Sequence, residues 1–261
     1  MILSHALYGS DGPPVLIIHG LFGSGRNWTS IARTLSEHSH RVYCLDLPNH
    51  GQSPWSTKTL DYPAIAGCIK DWIKQQNLGP VILVGHSMGG KAAMTLALLS
   101  PEYVSKIMVV DIAPVTYTSM EHLHLIHTLQ SVDLSQFTRR QEVENVLSES
   151  IPDEGLRKFL THNIVSDQQN SRLRWAVNLQ GLADSMEHIR SFPTFDSAVS
   201  FKNPSFFLAG GRSNYIKNTD HQTIQTLFPG HRLACMEECG HWPHAEDPKV
   251  FTQHAVHFLT E

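Results

Sequence analysis

The sequence predicts an α/β fold, a doubly wound and mostly parallel sheet with a helical segment inserted into it. Three observations carry that reading. Short continuous apolar runs, among them Val15-Leu16-Ile17-Ile18 and Val81-Ile82-Leu83-Val84, alternate with stretches of helical apolar spacing. Strands buried on both faces alternate in this way with the crossover helices that parallel pairing demands. One run passes through Gly85-His86-Ser87-Met88-Gly89 into a stretch of good helix formers that halts at Ser100-Pro101, which makes a sharp strand-to-helix turn with a serine at its apex. Finally, the interval of residues 115–203 between two apolar runs is too long for a single crossover.

The elements follow in order. After Gly12-Pro13-Pro14 the first buried strand, residues 15–18, runs into His19-Gly20-Leu21-Phe22-Gly23-Ser24-Gly25, a loop too rich in glycine for a plain linker. A helix over residues 27–35 leads to a second strand, residues 42–46, ending at Asp46. Leu47-Pro48-Asn49-His50-Gly51-Gln52-Ser53-Pro54 is a loop by its Pro, Asn and Gly content. Ile65, Ile69, Trp72 and Ile73 then recur at helical spacing, and Asn77-Leu78-Gly79 stops that helix. Beyond the serine turn, a strand over residues 106–110 finishes in Asp111-Ile112-Ala113-Pro114.

Residues 115–203 carry helical runs at 123–129, 140–147, 155–163 and 175–179. They read as a helical cap over the carboxyl edge of the sheet, where open α/β sheets bind ligands. Residues 1–114 and 204–261 form the core. The chain returns through a strand at 205–209, Gly210-Gly211-Arg212-Ser213-Asn214-Tyr215, a helix over 219–227 and a short strand over 232–236. Cys239-Gly240-His241-Trp242-Pro243-His244 and a helix over 250–259 close it.

With 261 residues, the chain fits one α/β domain carrying an insertion. A formal net charge of −4 offers nothing to attract phosphate backbones, so no nucleic-acid partner is expected. Met1-Ile2-Leu3-Ser4-His5 lacks the basic and apolar regions of a secretory signal, and no apolar stretch is long enough to span a bilayer. Cys44, Cys68, Cys235 and Cys239 are scattered, which suits reduced thiols in a cytoplasmic protein. Among 17 histidines only the group His122, His124 and His127 invites a metal reading, and no acid or cysteine completes a ligand set there. Neither metal nor cofactor is expected, and most histidines should be polar surface.

The serine turn is Gly-x-Ser-x-Gly, in which small neighbours let a strained serine stand exposed at the apex. A serine hydroxyl at neutral pH needs a base to take its proton and an acid to orient that base. In this layout the partners follow in the order serine, acid, histidine. His241 is the best base, in a Gly-His-Trp turn before the closing helix, ahead of His244 and His231. The loop after residues 205–209, where the acid usually lies, holds no carboxylate before Asp220. Asp111 ends the strand next after the serine turn and is taken as the acid, with Asp220 as the weaker alternative and Asp46 on the wrong side. Ser213 is placed to donate a hydrogen bond nearby. Two amides are needed to hold an oxyanion: Met88 at the start of a helix, and Leu21 or, second, Phe22 in the first loop.

These segments, together with Gly240-His241-Trp242-Pro243-His244-Ala245-Glu246, are similar to the α/β-hydrolase superfamily. Within it the chain resembles the small YbfF-like bacterial esterases and thioesterases over nearly its full length. Asp111-Ile112-Ala113-Pro114 and the Gly-Gly-x-Ser-x-Tyr segment are the specific marks. The resemblance implies Ser87, Asp111 and His241 as a triad, and cleavage of small-molecule carboxylic esters, with acyl thioesters such as acyl-CoA as a second substrate class. A dehalogenase or epoxide hydrolase of this fold needs an aspartate where Ser87 stands. A cofactor-free perhydrolase, a C–C bond hydrolase or an acyltransferase keeps the same three residues. A non-catalytic binding protein should lack one of them, and none is missing.

Overall fold

The computed structural model describes residues 2–166 and 172–261; Met1 and residues 167–171, the latter within the expected cap, lie outside the described residues. The strands are β1 (His5–Tyr8), β2 (Pro14–Ile18), β3 (Arg41–Leu45), β4 (Val81–His86), β5 (Val104–Val110), β6 (Ile164–Ser166), β7 (Leu173–Trp175), β8 (Ser205–Gly210) and β9 (His231–Met236). Seven of them form one sheet in the order β1-β3-β2-β4-β5-β8-β9, while β6 and β7 pair as an antiparallel ribbon. Within the sheet only β1 runs antiparallel to its neighbour, and every other pairing is parallel.

The helices are α1 (Thr29–Glu37), α2 (Tyr62–Gln75), α3 (Met88–Leu99), α4 (Glu121–Gln130), α5 (Arg140–Leu147), α6 (Glu154–Thr161), α7 (Leu179–Arg190), α8 (His221–Leu227), α9 (Pro243–Glu246) and α10 (Pro248–Thr260). Strand residues alternate between the two faces of the sheet. Val15, Ile17, Val42, Ile82, Val84, Met108 and Val110 pack against α1 and α10 through Trp28, Ile31, Leu35, Phe251 and Phe258. Leu16, Ile18, Leu45, Leu83, Ile107 and Val109 face the other way, onto α2, α3 and the segment between β5 and β8. Both faces are covered, so the strands read as unbroken apolar runs. Helix α3 is buried from Met88 to Leu98, hence its lack of a polar stripe.

The structure differs in two places from the sequence pattern, one in the segment between β5 and β8 and one at the edge of the sheet. Residues 175–179, read above as helical, are not a helix: Trp175 closes β7 against Ile164, and Asn178 caps α7 by accepting the Gly181 N–H at 3.0 Å. Helix formation therefore starts at Leu179. Strands of three residues carry too short a pattern to be told from a helical turn. Strand β1 is the other element without an apolar run, because it is a largely exposed edge strand. The segment is tied to the sheet's carboxyl edge by polar bonds: Asn163 Nδ2 to Phe22 O (2.8 Å), Asn178 N–H to Asn49 O (2.9 Å) and Tyr62 Oη to Ile189 O (2.7 Å). Among the described residues, no helix is long and apolar enough to cross a membrane.

Helix α3 lies so close to the end of β2 that a Cβ on Gly89 would stand 2.3 Å from Ile18 O and 2.5 Å from His19 O, both backbone atoms that cannot swing aside. Gly67, inside α2, has nothing within 4 Å of its would-be Cβ. Gly89→Ala is expected to destabilise by about 1–3 kcal/mol through overpacking, and Gly67→Ala to stabilise by about 0.4–1 kcal/mol by restricting the unfolded chain. Urea unfolding of the two variants checks this; equal midpoints would refute the close approach.

Candidate active site

Strand β4, at the centre of the sheet, ends at His86, and Ser87 follows at φ 52° and ψ −121°. Its N–H donates to Val110 O on the neighbouring strand at 3.1 Å, which anchors the turn to β5. Gly20 sits against it: a Cβ there would meet His86 Nδ1 at 2.8 Å and Ser87 Cβ at 3.2 Å. Asp111, fully buried and at φ 49°, follows β5, and His241 lies in the loop between β9 and α9.

These three side chains form one hydrogen-bonded chain. His241 Nδ1 lies 2.7 Å from Asp111 Oδ2, and His241 Nε2 lies 3.1 Å from Ser87 Oγ. A carboxylate only accepts, so Nδ1 carries the ring proton, Nε2 presents its lone pair, and the serine hydroxyl donates to it. Asp111 also accepts the Gly210 N–H at 2.9 Å on Oδ1 and the Ser213 hydroxyl on Oδ2. Three donors compensate a carboxylate that has no contact with water.

β5 and β8 are neighbours in the sheet, so an acid at the end of β5 reaches the loop after β8. Asp111 thereby meets the same histidine that an acid in that loop would meet. Asp220 instead accepts the Lys217 N–H at 2.9 Å, just before α8. Asp46 accepts the N–H groups of Gly25 (2.7 Å) and Gln52 (2.8 Å) and so shapes loops away from Ser87. His231 bonds Phe228 O, and His244 stacks on Trp28 at 4.0 Å and 9°.

Leu21 and Met88 line one cavity of about 450 Å³ with Ser87 and His241. Met88 opens α3, where helical geometry supplies no acceptor for its N–H. The Phe22 N–H is engaged by His50 Nε2 at 3.3 Å, whereas Leu21 lines the cavity with Ser87. His50 is held as an acceptor because burial, reinforced by His19, pushes its imidazole down to about 3. His19 is likewise lowered to about 4 by burial, and accepts the Leu47 N–H at 3.0 Å. His86, immediately before the serine, is pushed well below 6.5 by burial and then by His244 and His241. Its neutral ring donates Nε2–H to His241 O at 2.7 Å and so fixes the histidine loop. Most of the 17 histidines lie at or near the surface, as expected, but His19, His40, His50, His86 and His244 are buried. No His, Cys, Asp or Glu cluster that could hold a metal ion occurs among the described residues.

Sequence reasoning gave no role to Lys91, one turn along α3. Its Nζ donates to Arg190 O (2.8 Å) and Ser191 O (2.7 Å) at the negative end of α7, and lies over the Tyr117 ring at 4.6 Å. Lysine inside an otherwise apolar helix was the available signal.

Burial pushes that ammonium down from 10.5 to about 7. Between those values the folded chain binds fewer protons than the unfolded one, so this contribution to stability is complete above pH 10.5 and is lost as pH falls to about 7. Lys91→Met removes it. The melting temperature of the parent relative to Lys91→Met is expected to climb from pH 7 to pH 10; a difference independent of pH would contradict the burial effect.

A sequence-family profile described as the alpha/beta hydrolase fold matches residues 13–248. The sn-1-specific diacylglycerol lipase ABHD11 of Mus musculus is 35% identical, over 98% of this chain and 85% of the relative. Esterase YbfF of Escherichia coli is 30% identical, over 96% of this chain and 94% of the relative. A solved structure titled marine microorganism esterase superposes with a TM-score of 0.94 at 37% identity, covering 98% of this chain and 99% of the other.

Proposed function

The chain belongs to the α/β-hydrolase family, and on that premise we propose that it is a serine hydrolase of carboxylic esters working through an acyl-enzyme on Ser87. The observation that carries this is the continuous chain Ser87–His241–Asp111 with its tautomer set by the carboxylate. The esterase and lipase names of the relatives support ester substrates for this chain as well.

In the first half-reaction Ser87 Oγ attacks the carbonyl carbon while His241 Nε2 takes the hydroxyl proton. Asp111 holds the imidazole and stabilises the cation that forms. The carbonyl oxygen becomes an oxyanion held by the Leu21 and Met88 amides. Collapse of the adduct breaks the bond to the leaving alcohol, which departs with the proton from Nε2. Water, deprotonated by the same nitrogen, then releases the acid and restores Ser87. An acyl thioester passes through the same oxyanion, so thioesters fall within the proposed range.

Residues 115–203 act as the cap in this reading. Met186 and Ile189 of α7 and His122 of α4 share the cavity with Ser87, so the inserted segment walls the acyl side and selects chain length.

Ser87→Ala is expected to fold normally and lose ester hydrolysis by several orders of magnitude. Asp111→Asn should depress kcat heavily, because an amide neither stabilises the imidazolium nor enforces its tautomer, whereas Asp220→Asn should be mild. Chromogenic ester turnover with each purified variant tests this. The opposite ranking of the two aspartate variants would overturn the role of Asp111, and a fully active Ser87→Ala the serine mechanism itself.

A further inference from the structure

The Gly210–Tyr215 loop carries no carboxylate, yet it reaches the site twice: Ser213 bonds Asp111, and Tyr215 lies on the reacting histidine. We propose that Tyr215 is a positioning residue for the reaction, its ring face setting the tilt of the His241 imidazole and stabilising the imidazolium that forms when Ser87 gives up its proton. The inference rests on the serine-hydrolase reading above.

The geometry is face to face. The Tyr215 and His241 rings stack with centroids 4.0 Å apart and planes at 24°. The two bonds of His241, to Asp111 and to Ser87, lie along the ring's edge and leave rotation about the line joining the two nitrogens undetermined. A stacked ring removes that freedom. It also places the negative face of an aromatic quadrupole against a group that turns cationic in the transition state. Burial raises the Tyr215 phenol to about 12, so the ring stays neutral throughout the working range.

Tyr215 is itself braced from both sides. Its N–H donates to Ser213 Oγ at 3.2 Å, and its carbonyl accepts the Tyr117 hydroxyl at 2.5 Å. That same hydroxyl accepts the Ala113 N–H at 2.9 Å, just past Asp111. Tyr117 in turn donates its backbone N–H to Arg190 O at 3.0 Å, the carbonyl that Lys91 also engages. The tyrosine pair therefore runs from the end of α7 to the histidine.

Asp111, His86 and His244 lie against His241; His122, Lys91, Glu121, Arg190, Arg212, Lys217 and Tyr117 share its cavity, and Glu246 holds the adjacent backbone through the Gly240 and Trp242 N–H groups. Burial lowers His244 to about 3 and holds His86 well below 6.5. His122 is lowered from its usual range by burial and then by His241. Lys91, lowered to about 7, is removed as a control.

The test is the pH profile of kcat/KM for hydrolysis of 1-naphthyl acetate by the parent, Tyr215→Leu, Tyr215→Phe and Tyr117→Phe, each also in a Lys91→Met background. Loss of the ring face is expected to move the acidic limb of Tyr215→Leu to lower pH and to cut kcat roughly 2- to 30-fold with little change in KM. Tyr215→Phe keeps the face and should keep the parent's limb, whereas Tyr117→Phe should lower kcat with a smaller limb shift. Tyr215→Met replaces Tyr215→Leu if thermal melts show the latter misfolded. An unmoved limb in the Leu or Met variant, or an equal shift in Tyr215→Phe, overturns the proposal. Ser87→Ala run alongside separates the two readings: if it is inert, a negative result concerns Tyr215 alone.

Discussion

A serine at φ 52° and ψ −121° occupies a backbone region that costs a residue with a side chain on the order of 1–3 kcal/mol, and the surroundings of Ser87 are arranged to keep it there. Val110 O holds its N–H from the neighbouring strand, and Lys91 N–H holds its carbonyl from within α3. Gly20 and Gly89 allow the end of β2 to approach within contact of the turn. That approach brings Leu21 and Met88 to line one cavity with the serine.

The parts legible in the sequence were those written as local pattern. Apolar runs marked β2 to β5 and β8, because a strand covered on both faces has no polar alternation to confuse the reading. Ser87 and His241 announced themselves through glycine-flanked turns, and Asp111 through its place at a strand's carboxyl end. The choice of Asp111 over Asp220 needed only the order of strands, and the adjacency of β5 and β8 explains why one strand can supply what its neighbour usually does. What stayed hidden depended on partners far away in the chain. Tyr215 faces His241 across 25 intervening positions in which nothing periodic links them. Lys91 read only as one helix former among others, because the α7 carbonyls that bind it lie a hundred residues further on.

The histidines teach the same lesson in electrostatic terms. A count of 17 suggested polar surface, but three of the buried ones, His19, His50 and His86, act as neutral hydrogen-bonding spacers. His19 and His50 each present one nitrogen as donor and the other as acceptor between backbone groups of two loops. His86 donates from Nε2 to His241 O and so links the serine strand to the histidine loop. A neutral imidazole can satisfy both a carbonyl and an amide at once without bringing charge into the core, which no lysine or carboxylate could do there.

Ser87 and Asp111 are carried at the ends of paired strands, β4 and β5, whose separation is fixed by the ladder between them. His241 alone is carried by a loop, held through side-chain bonds from His86, Glu246 and Asp111. Heating therefore acts unequally on the three. The strand-borne pair keeps its spacing until the sheet melts, whereas the loop can detach while the sheet is intact. Loss of turnover on warming should thus precede the cooperative unfolding transition and reverse on cooling, leaving a window of temperature in which the protein is folded and idle.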